Sequence, residues 1–255
     1  MQSDIQTILN TFNSISLDEM DAVKLLQRTD TKFIFHANQL ARILELTKSD
    51  YSVLEINNRR VRDYKTLYYD TTEFALYQAH LRGKLNRYKI RYRNYMDSHT
   101  GFLEVKFKTN KDRTIKSRLK ASEPLTAWNS EAIQFIKTHT PYGPATLVPS
   151  LWVNYSRITL VNINTKERLT LDLNIEFING INTKKLQPLI IAEVKKDKAK
   201  NSPFFVIMKS MAIKELSISK YCMAMVYAEP KVKTNRFKET LRSIKKITDY
   251  DIITN

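Results

Sequence analysis

Cationic side chains alternate with apolar or aromatic ones along one stretch of the chain, and this spacing suits the binding of phosphate groups. The cations there are Arg87, Lys89, Arg91 and Arg93. Successive side chains of a β-strand point to opposite faces of the sheet, so this strand would carry four cations on one face. Guanidinium and ammonium groups spaced in this way bind the oxygens of a phosphate chain.

Other stretches repeat the pattern, and two explanations of it are open. An antiparallel sheet with one solvated face is polar on that face by default. However, like charges two residues apart lie only about 7 Å from each other, and an ordinary sheet would place acids between them. The second explanation is a sheet closed into a barrel, with its apolar face outward under helices and its cationic face lining the lumen. The further cations with this placement are Arg28, Lys32, Lys106, Lys108, Arg157, Arg168 and Lys195.

Three acids on the same faces could supply hard oxygen ligands for a Mg²⁺ or Mn²⁺ ion that bridges phosphate oxygens. They are Glu104, Asp172 and Glu193. The alternative role is charge balance among basic neighbours. We favour a metal ligand for Glu193, because it emerges from a very apolar stretch, residues 190–194. Both roles stay open for the other two acids.

The usual motifs of nucleotide-binding enzymes and of nucleophilic catalysis are absent from the sequence. None of the four glycines lies in a Walker or Rossmann phosphate-binding pattern, and no GxSxG elbow occurs. The four histidines are scattered, which fits structural roles better than metal ligation. The single cysteine, Cys222, lies in an apolar stretch and is expected to be a small buried residue. Any chemistry would therefore be performed by charge and metal.

The charge balance predicts a polyanionic partner. The 255 residues contain 42 Lys and Arg against 26 Asp and Glu, a formal charge of +16, and 42% of them are hydrophobic. That content favours a folded domain with a core over a disordered basic tail. No apolar run approaches the ~20 residues of a transmembrane helix, and the first residues lack the layout of a signal peptide. We expect a soluble, cytoplasmic protein.

The hydrophobic patterning predicts an antiparallel α+β fold, because strands dominate, hairpin loops are short and no regular βαβ alternation occurs. A helix is predicted at 17–26, where Ser16 and Glu19 have capping-box spacing. Further helices are predicted at 38–47, 72–81 and 129–138. Strands are predicted at 28–35, 51–56, 61–69, 84–96, 102–109, 112–118, 150–162, 167–177 and 188–196.

Six segments occur in an order that resembles one known family. They are residues 28–33 (RTDTKF), 69–71 (YDT), 83–93 (GKLNRYKIRYR), 103–108 (LEVKFK), 193–195 (EVK) and 219–221 (SKY). Over about residues 25–228 the chain resembles the VTC domain, the polyphosphate polymerase branch of the triphosphate tunnel metalloenzymes. The resemblance implies an eight-stranded antiparallel β-barrel, the triphosphate tunnel, with helices packed outside. It also implies binding of a nucleotide through its triphosphate and a divalent metal, often Mn²⁺, held by glutamate.

The resemblance assigns roles to particular residues. The catalytic phosphate contacts that it implies are Lys32, Arg91, Arg93, Lys106, Arg157, Arg168 and Lys220. It makes Glu193 the metal ligand, with Glu104 and Asp172 as additional candidates from the strand pattern. Further substrate-binding residues are expected at Arg28, Arg82, Arg87, Lys89, Lys108, Lys195 and Ser219. Ser219 would begin a helix whose first amides face an anion together with Lys220.

The first of these segments also bears on the reaction. Hydrolases of the wider superfamily carry an ExExK first strand, whereas this chain has Arg28-x-Asp30-x-Lys32. The missing first carboxylate favours transfer between phosphates over hydrolysis. The expected function is metal-dependent transfer of the γ-phosphoryl group of ATP to a growing polyphosphate chain, with Mn²⁺ or Mg²⁺ as cofactor. The alternatives are a triphosphatase of the same fold and a non-catalytic protein that binds polyphosphate or nucleic acid, although no nucleic-acid partner is expected.

Three parts of the chain are distinguished. Residues 1–24 are expected to form a helical N-terminal segment, 25–228 the VTC-type tunnel domain and 229–255 a basic helix or tail. The tail combines cations with apolar residues at helical spacing, which fits peripheral contact with an anionic membrane, guidance of emerging polyphosphate, or a solvated packed helix. Coupling to a membrane would otherwise need a separate partner.

Overall fold

The described part of the chain, residues 2–22, 28–111, 113–125 and 127–248 of a computed structural model, contains helices and strands in mixed order. The helices are α1 (Gln2–Asn10), α2 (Leu17–Ala22), α3 (Leu40–Thr47), α4 (Ala75–Leu81), α5 (Ser130–His139), α6 (Pro203–Ser210), α7 (Lys220–Ala228) and α8 (Lys238–Thr248). The strands are β1 (Ser14–Ile15), β2 (Arg28–His36), β3 (Ser52–Leu54), β4 (Val61–Thr71), β5 (Arg87–Tyr95), β6 (Thr100–Lys108), β7 (Thr114–Lys120), β8 (Leu147–Asn162), β9 (Glu167–Asn179), β10 (Asn182–Leu186) and β11 (Leu189–Asp197).

Eight strands form one antiparallel path, hydrogen-bonded in the order β2-β11-β9-β8-β4-β5-β6-β7. The three short strands attach at its sides, where β1 pairs with β3, β3 with β8 and β10 with β9. Lys32 of β2 and Thr114 of β7, from the two ends of the path, line the same cavity, so the sheet curls into a barrel. Within the described residues no hydrogen bonds join β2 to β7. The predicted eight-stranded antiparallel barrel is confirmed, as a curled sheet with an unpaired seam.

The segment 215–219 covers part of that seam. The backbone N–H of Leu216 donates to the Lys32 carbonyl at 2.8 Å, and Glu215 forms a β-bridge with Phe33. These contacts satisfy backbone groups of β2 that would otherwise lie at a free sheet edge. The segment then leads directly into α7, which it positions against the barrel.

Helices cover the outer face of the sheet, as predicted. Around β2, β8, β9 and β11, side chains such as Phe33 and Leu171 pack with those of α1, α3 and α6. Around β5 and β6, Ile90 and Leu103 pack with Ile136 of α5. Full burial of such a side chain contributes about 1.5–3 kcal/mol, so the apolar face of each strand is fixed outward. The alternating cations are thereby directed inward.

A bulge in β9 changes which residues face the inside of the barrel. Asn174 adopts a left-handed conformation (φ 54°), and the register with β8 slips there by one residue. Asp172 faces inward before the bulge, and Ile175 and Phe177 face inward after it, although simple alternation would place them outside. The inner surface is therefore divided into a polar half and an apolar half.

Helix α7 occupies the apolar half of the barrel. Its residues Cys222 and Met225 are fully buried and belong to one cluster with Val153 and Phe177 of the inner surface. The cysteine is thus a small buried residue, as expected. Helix α7 therefore packs on the inner surface, with Tyr77 of α4 and Ile244 of α8 in the same cluster, whereas the sequence predicts helices only outside, and the bulge at Asn174 contributes to this apolar surface.

Most predicted elements are present with shifted ends. The capping box of α2 is formed, since the Glu19 carboxylate accepts from the Ser16 amide at 2.8 Å and the Glu19 amide donates to the Ser16 hydroxyl at 3.3 Å. Residues 23–26 of the predicted helix lie outside the described residues, as do residues 249–255 of the tail. Helix α1 lies in the N-terminal segment that was expected to be helical, whereas α6 was not predicted, although Ser202 before Pro203 gives it a regular start signal. None of the helices described has the length and hydrophobicity that crossing a bilayer requires.

Asp70 of β4 connects this strand with α4 and α7 through hydrogen bonds. It is fully buried at the end of β4, and its carboxylate accepts from the backbone amides of Leu76 at 2.8 Å and Tyr77 at 2.9 Å in α4. The same carboxylate accepts from the hydroxyl of Tyr221 in α7. Burial raises the pKa of Asp70, and these donors oppose that rise.

We expect Asp70→Ala to destabilise the protein by about 3 kcal/mol, because it leaves several buried donors without an acceptor. For a chain of this size the melting temperature would fall by about 6–12 °C. Thermal unfolding followed by circular dichroism measures this, with Asp70→Asn as the variant that keeps one oxygen acceptor and loses less. A melting temperature within about 1 °C of wild type for Asp70→Ala would contradict the assigned role.

Candidate functional site

The polar half of the barrel contains two adjoining cavities of about 680 Å³ and 620 Å³. Both are lined by Lys32, Lys89, Lys106, Glu193 and Ser219, so they are two parts of one passage. We call this passage the tunnel. Its walls come from the inward faces of the strands, and the start of α7 contributes to both parts.

Most of the predicted cations line the tunnel, so the explanation by a cationic lumen is the one that the fold supports. The larger cavity is lined by Lys32, Lys89, Arg91, Arg93, Lys106, Arg157, Arg168, Lys195 and Lys220. The smaller cavity is lined by Lys32, Arg87, Lys89, Lys106 and Lys108. Two predicted cations are not among them. Arg82 lies outside the tunnel at the end of α4, where it donates to Gln78 at 2.9 Å, and the side chain of Arg28 lies outside the described part.

The two ends of the tunnel differ in chemistry. One end, the basic mouth, is lined by His80, Arg87 and Lys108. The other end, the aromatic mouth, includes Tyr95 and Phe102 together with leucine and isoleucine side chains. Rings there also carry cations, since the guanidinium of Arg118 lies 4.9 Å from the Phe102 ring centre. An anionic chain suits the basic mouth, and a group with an apolar ring suits the aromatic one.

All three predicted metal ligands form ion pairs, and two of them, Glu104 and Asp172, line neither cavity. Glu104 is fully buried, accepts from Arg91 at 2.6 and 2.8 Å and also pairs with Lys116. Burial opposes its ionisation, but Arg91 and Arg93 outweigh burial and lower the pKa of the carboxyl. The Glu104 carboxylate balances charge, and neither cavity is lined by it.

Asp172 has an equivalent arrangement on the other wall. Its carboxylate accepts from Arg157 at 2.6 and 2.9 Å and pairs with Lys220 at the start of α7. Burial opposes ionisation here too, and Arg157 and Lys220 lower the pKa of Asp172 in spite of it. We propose that Glu104 and Asp172 orient tunnel cations and do not themselves hold a metal.

Three other tunnel cations, Lys89, Arg93 and Lys106, form no ion pair with an acid among the described residues. The Nε of Arg93 is buried and has no hydrogen-bond partner. The charge of Arg91, together with burial, lowers the pKa of Lys106 well below its usual range. Burial, reinforced by Lys32 and Arg87, lowers the pKa of Lys89 to about 8. These groups repel one another in the ligand-free protein, and a polyanion would relieve the repulsion.

We therefore expect tripolyphosphate binding to take up protons and to weaken by up to about tenfold per pH unit above about pH 8, where Lys89 loses its proton. The sign follows because phosphate binds the ammonium form, so deprotonation of the free protein competes with binding. Calorimetry in two buffers of different ionisation enthalpy measures the uptake. The control is Lys89→Gln, which should bind more weakly and lose this step of the pH profile. A wild-type affinity that is constant between about pH 7 and 9 would rule out the linkage.

Glu193 is the predicted metal ligand that faces the tunnel. Its carboxylate lies 2.6 Å from Lys195 Nζ. Burial opposes its ionisation, but Lys195 and Lys32 hold the pKa of Glu193 well below its usual range, so the group is an anion at neutral pH. Asp30 lines both cavities with it and was not predicted as a site residue, although the alternation in 28–32 places it on the face of Lys32. In the register of β2 and β11, Asp30 lies opposite Lys195 and therefore diagonal to Glu193.

This donor set fits a Mg²⁺ or Mn²⁺ ion that takes most of its ligands from substrate and water. Such ions are commonly bound through one or two carboxylates plus phosphate oxygens. The described residues contain no cluster of three or more His, Cys, Asp or Glu side chains able to hold a metal alone. Glu193 would hold the ion, with Asp30 as a second oxygen donor.

The start of α7 closes one wall of the tunnel. Ser219 caps the helix, with its hydroxyl accepting from the Cys222 amide at 3.4 Å, and Lys89 Nζ donates to the same hydroxyl at 3.0 Å. Ser219 begins a helix, as expected, and lines the larger cavity together with Lys220, and the contact of both with an anion stays a prediction. Lys116 and Arg118 of β7 also line the larger cavity and were missed, although their alternation with Ile115 and Leu119 is the same signal.

Several solved structures are similar to this chain at low sequence identity. No curated protein sequence matches the chain at a significant level. Similar solved structures include the PH1819 protein from Pyrococcus horikoshii OT3, with TM-score 0.42 and 11% identity over 76% of this chain and 95% of that one. The bh2851 protein from Bacillus halodurans has TM-score 0.43 and 12% identity over 83% and 97%. The HpAC1 protein from Hippeastrum, described as having a dominant triphosphatase activity, has TM-score 0.45 and 14% identity over 78% and 95%.

The family comparison covers most of the chain. The family described as VTC domain matches residues 27–228, which contain all eight strands of the barrel path and the start of α7. The chain therefore belongs to the VTC domain family.

Proposed function

We propose that the protein is a metal-dependent polyphosphate polymerase, which transfers the γ-phosphoryl group of ATP to the end of a polyphosphate chain. The observation that carries the proposal is the convergence on one tunnel inside the barrel of cations that form no ion pair with an acid of the described residues, among them Arg93, Lys89 and Lys106. Such a tunnel suits a linear chain of phosphates better than a single phosphate group, because several cations at different depths each need an anion.

Binding of ATP would use both the tunnel cations and the aromatic mouth. The triphosphate lies among the tunnel cations, and the aromatic mouth suits the nucleoside because rings and apolar side chains line it. Arg91 and Arg157 are held in place by Glu104 and Asp172, so their guanidinium groups are oriented before the substrate arrives. Orientation fixed in advance lowers the barrier because little reorganisation remains during the reaction.

The chemical step is an in-line displacement at the γ-phosphorus. A terminal phosphate oxygen of the acceptor chain forms the new bond to phosphorus, the bond between the γ-phosphorus and the β–γ bridging oxygen breaks, and ADP leaves. The attacking oxygen is already anionic at neutral pH, so no general base is required. The cations stabilise the charge that spreads over the transferred group. A bound Mn²⁺ or Mg²⁺ would supply Lewis-acid stabilisation of phosphate oxygens.

A triphosphatase is the second candidate, in which water replaces the acceptor chain. The observation that favours it is Asp30, a second carboxylate in the same tunnel as Glu193. A carboxylate so placed could orient water for attack on the γ-phosphorus. Nucleic acid is not proposed as a partner, because most of the predicted cations line an internal passage and not an outer face of the sheet. We propose the cytoplasm, with a peripheral membrane contact as an alternative location.

Incubation of the purified protein with ATP and Mn²⁺ tests the proposal, with the products separated on a gel stained for polyphosphate. A ladder of long chains together with ADP is the expected result. Release of orthophosphate without long chains would identify a triphosphatase instead. Binding of tripolyphosphate with no turnover in Mn²⁺ or Mg²⁺ would contradict both reactions and leave a binding protein.

A further inference from the structure

A row of exposed cations on the outer surface begins where the basic mouth ends. It consists of Arg82 and Lys84, which follow α4, and of Lys233 and Arg236, which precede α8. We call this row the cationic strip. All four side chains are exposed, and none forms an ion pair with an acid of the described residues. The strip lies outside both cavities, so it takes no part in the site described above.

Direct contacts connect the strip to the basic mouth. Arg87, which lines the mouth, donates from its guanidinium to the Lys84 carbonyl at 2.8 Å. Arg236 donates to the Arg82 carbonyl at 2.7 Å, so the two segments of the strip touch. The guanidinium groups of Arg87 and Arg236 thus both bind backbone carbonyls of residues 82–84, which connect the basic mouth with the segment before α8.

Aromatic packing fixes the second segment in this position. The ring of Phe237 lies 6.4 Å from that of His80, which lines the basic mouth, and 6.1 Å from that of Tyr77. The hydroxyl of Tyr77 donates to the Lys233 carbonyl at 2.8 Å. Residues 233–237 are thus anchored to α4 at several points, and the strip is part of the folded surface.

Gly83 permits the close approach of the two segments. Its backbone has φ +66°, and a Cβ atom there would lie 2.6 Å from Nη1 of Arg236. Any side chain would therefore meet both an unfavourable backbone conformation and the Arg236 guanidinium. Gly83 therefore allows Arg236 to lie beside Arg82 and Lys84.

We propose that the cationic strip binds the part of a polyphosphate chain that lies beyond the basic mouth. The inference rests on the proposed function, since it assigns the mouth to a linear phosphate chain. A chain longer than the tunnel must leave it through one of its ends, and beyond the basic mouth the cations continue along connected residues of the outer surface. Polyphosphate is favoured over a lipid surface because the strip is continuous with the tunnel interior and cations outnumber apolar side chains along it, where Leu85 is exposed beside Lys84.

The test compares binding of long-chain polyphosphate and of tripolyphosphate in the full chain, without ATP. The strip variant carries Lys84→Gln, Lys233→Gln and Arg236→Gln. The matched control carries Arg42→Gln, Lys48→Gln and Lys137→Gln, three exposed cations on other surfaces with the same change in net charge. Circular dichroism and melting temperature confirm that both variants are folded.

The strip variant is expected to lose at least about tenfold in affinity for long-chain polyphosphate at about 0.1 M salt, because three cations no longer displace counterions. The slope of log Kd against log salt should fall by about 2, since each neutralised phosphate of a single strand contributes about 0.7. Affinity for tripolyphosphate should stay unchanged, because that ligand fits inside the tunnel. The control variant should retain the wild-type salt slope.

Equal weakening of long-chain binding in both variants would overturn the proposal, because it would show a response to net charge alone. Loss of binding to phosphatidylserine vesicles in the strip variant, with long-chain affinity retained, would also overturn it and assign the strip to a membrane surface. Because the measurement uses preformed polyphosphate, it is independent of whether the protein synthesises polyphosphate from ATP. Failure of the strip and failure of the polymerase assignment are therefore distinguishable.

Discussion

Replacing Arg93 and Lys106 together with alanine is expected to abolish measurable tripolyphosphate binding, with a loss of about 100-fold or more. Each removes a charged donor, and a hydrogen bond to a charged group contributes about 1.5–3 kcal/mol. The melting temperature should stay the same or rise. The reason is that Arg93 Nε has no partner among the described residues and Lys106 is repelled by Arg91 and Arg93. Isothermal titration with tripolyphosphate and a thermal melt measure the two effects.

The control for this pair is Arg42→Ala with Lys65→Ala, two exposed cations whose side chains line neither cavity. It has the same change in charge and should bind tripolyphosphate with an affinity within a factor of about three of wild type. A folded Arg93→Ala/Lys106→Ala variant with wild-type affinity would falsify the tunnel as the binding site. Arg91 is a poorer choice for this test, because its removal takes two hydrogen bonds from the buried Glu104 carboxylate.

The second large effect is expected from Glu193→Gln, which should lower Mn²⁺-dependent turnover of ATP by at least about 100-fold. The change keeps the size of the side chain but removes the anionic oxygen donor, and a bound metal contributes several kcal/mol of transition-state stabilisation. Metal-free binding of tripolyphosphate should be retained or tightened, because Lys195 loses its partner at 2.6 Å and becomes available to phosphate. Steady-state kinetics with Mn²⁺ and calorimetry in EDTA separate the two results.

Glu176→Gln is the matched control, since Glu176 pairs with Lys185 at 3.6 Å away from the tunnel. It should leave both turnover and binding unchanged. If Glu193→Gln kept wild-type turnover in Mn²⁺, Glu193 would have no part in the reaction. If it lost tripolyphosphate binding as well, its role would be to support the fold of the tunnel wall and not to bind metal.

The sequence predicts the inward face of β5 well because no bulge interrupts that strand. Arg87, Lys89, Arg91 and Arg93 keep strict alternation, and all four line the tunnel. In β7, Lys116 and Arg118 alternate with apolar residues in the same way. They were not predicted, because this strand is short and exposed and its two faces differ little in hydrophobicity. Alternation thus identifies the tunnel wall wherever the opposite face of the strand is buried.

The pairing of charges could not be predicted in the same way. Glu104 is fully buried between Arg91 and Lys116 because of the register of three strands, β5, β6 and β7. Alternation along one strand does not determine that register. The same applies to Asp172, whose partner Lys220 comes from a helix 48 residues further along the chain. Sequence patterns therefore located the carboxylates on the correct face, and long-range packing decided what they contact.

Because of the bulge at Asn174, β9 tolerates a change of residue at this position but not the loss of one residue from the strand. Deleting that one residue would restore simple alternation and exchange the two faces of the strand from Ile175 to Asn179. Phe177 would then leave the surface against which α7 packs, and Glu176 would enter it. Helix α7 also carries Lys220 into the tunnel. Deletion of Asn174, more than 40 residues away in sequence, would therefore displace this proposed phosphate-binding side chain. Substitution of Asn174 by glycine, in contrast, keeps the backbone conformation and the tunnel wall.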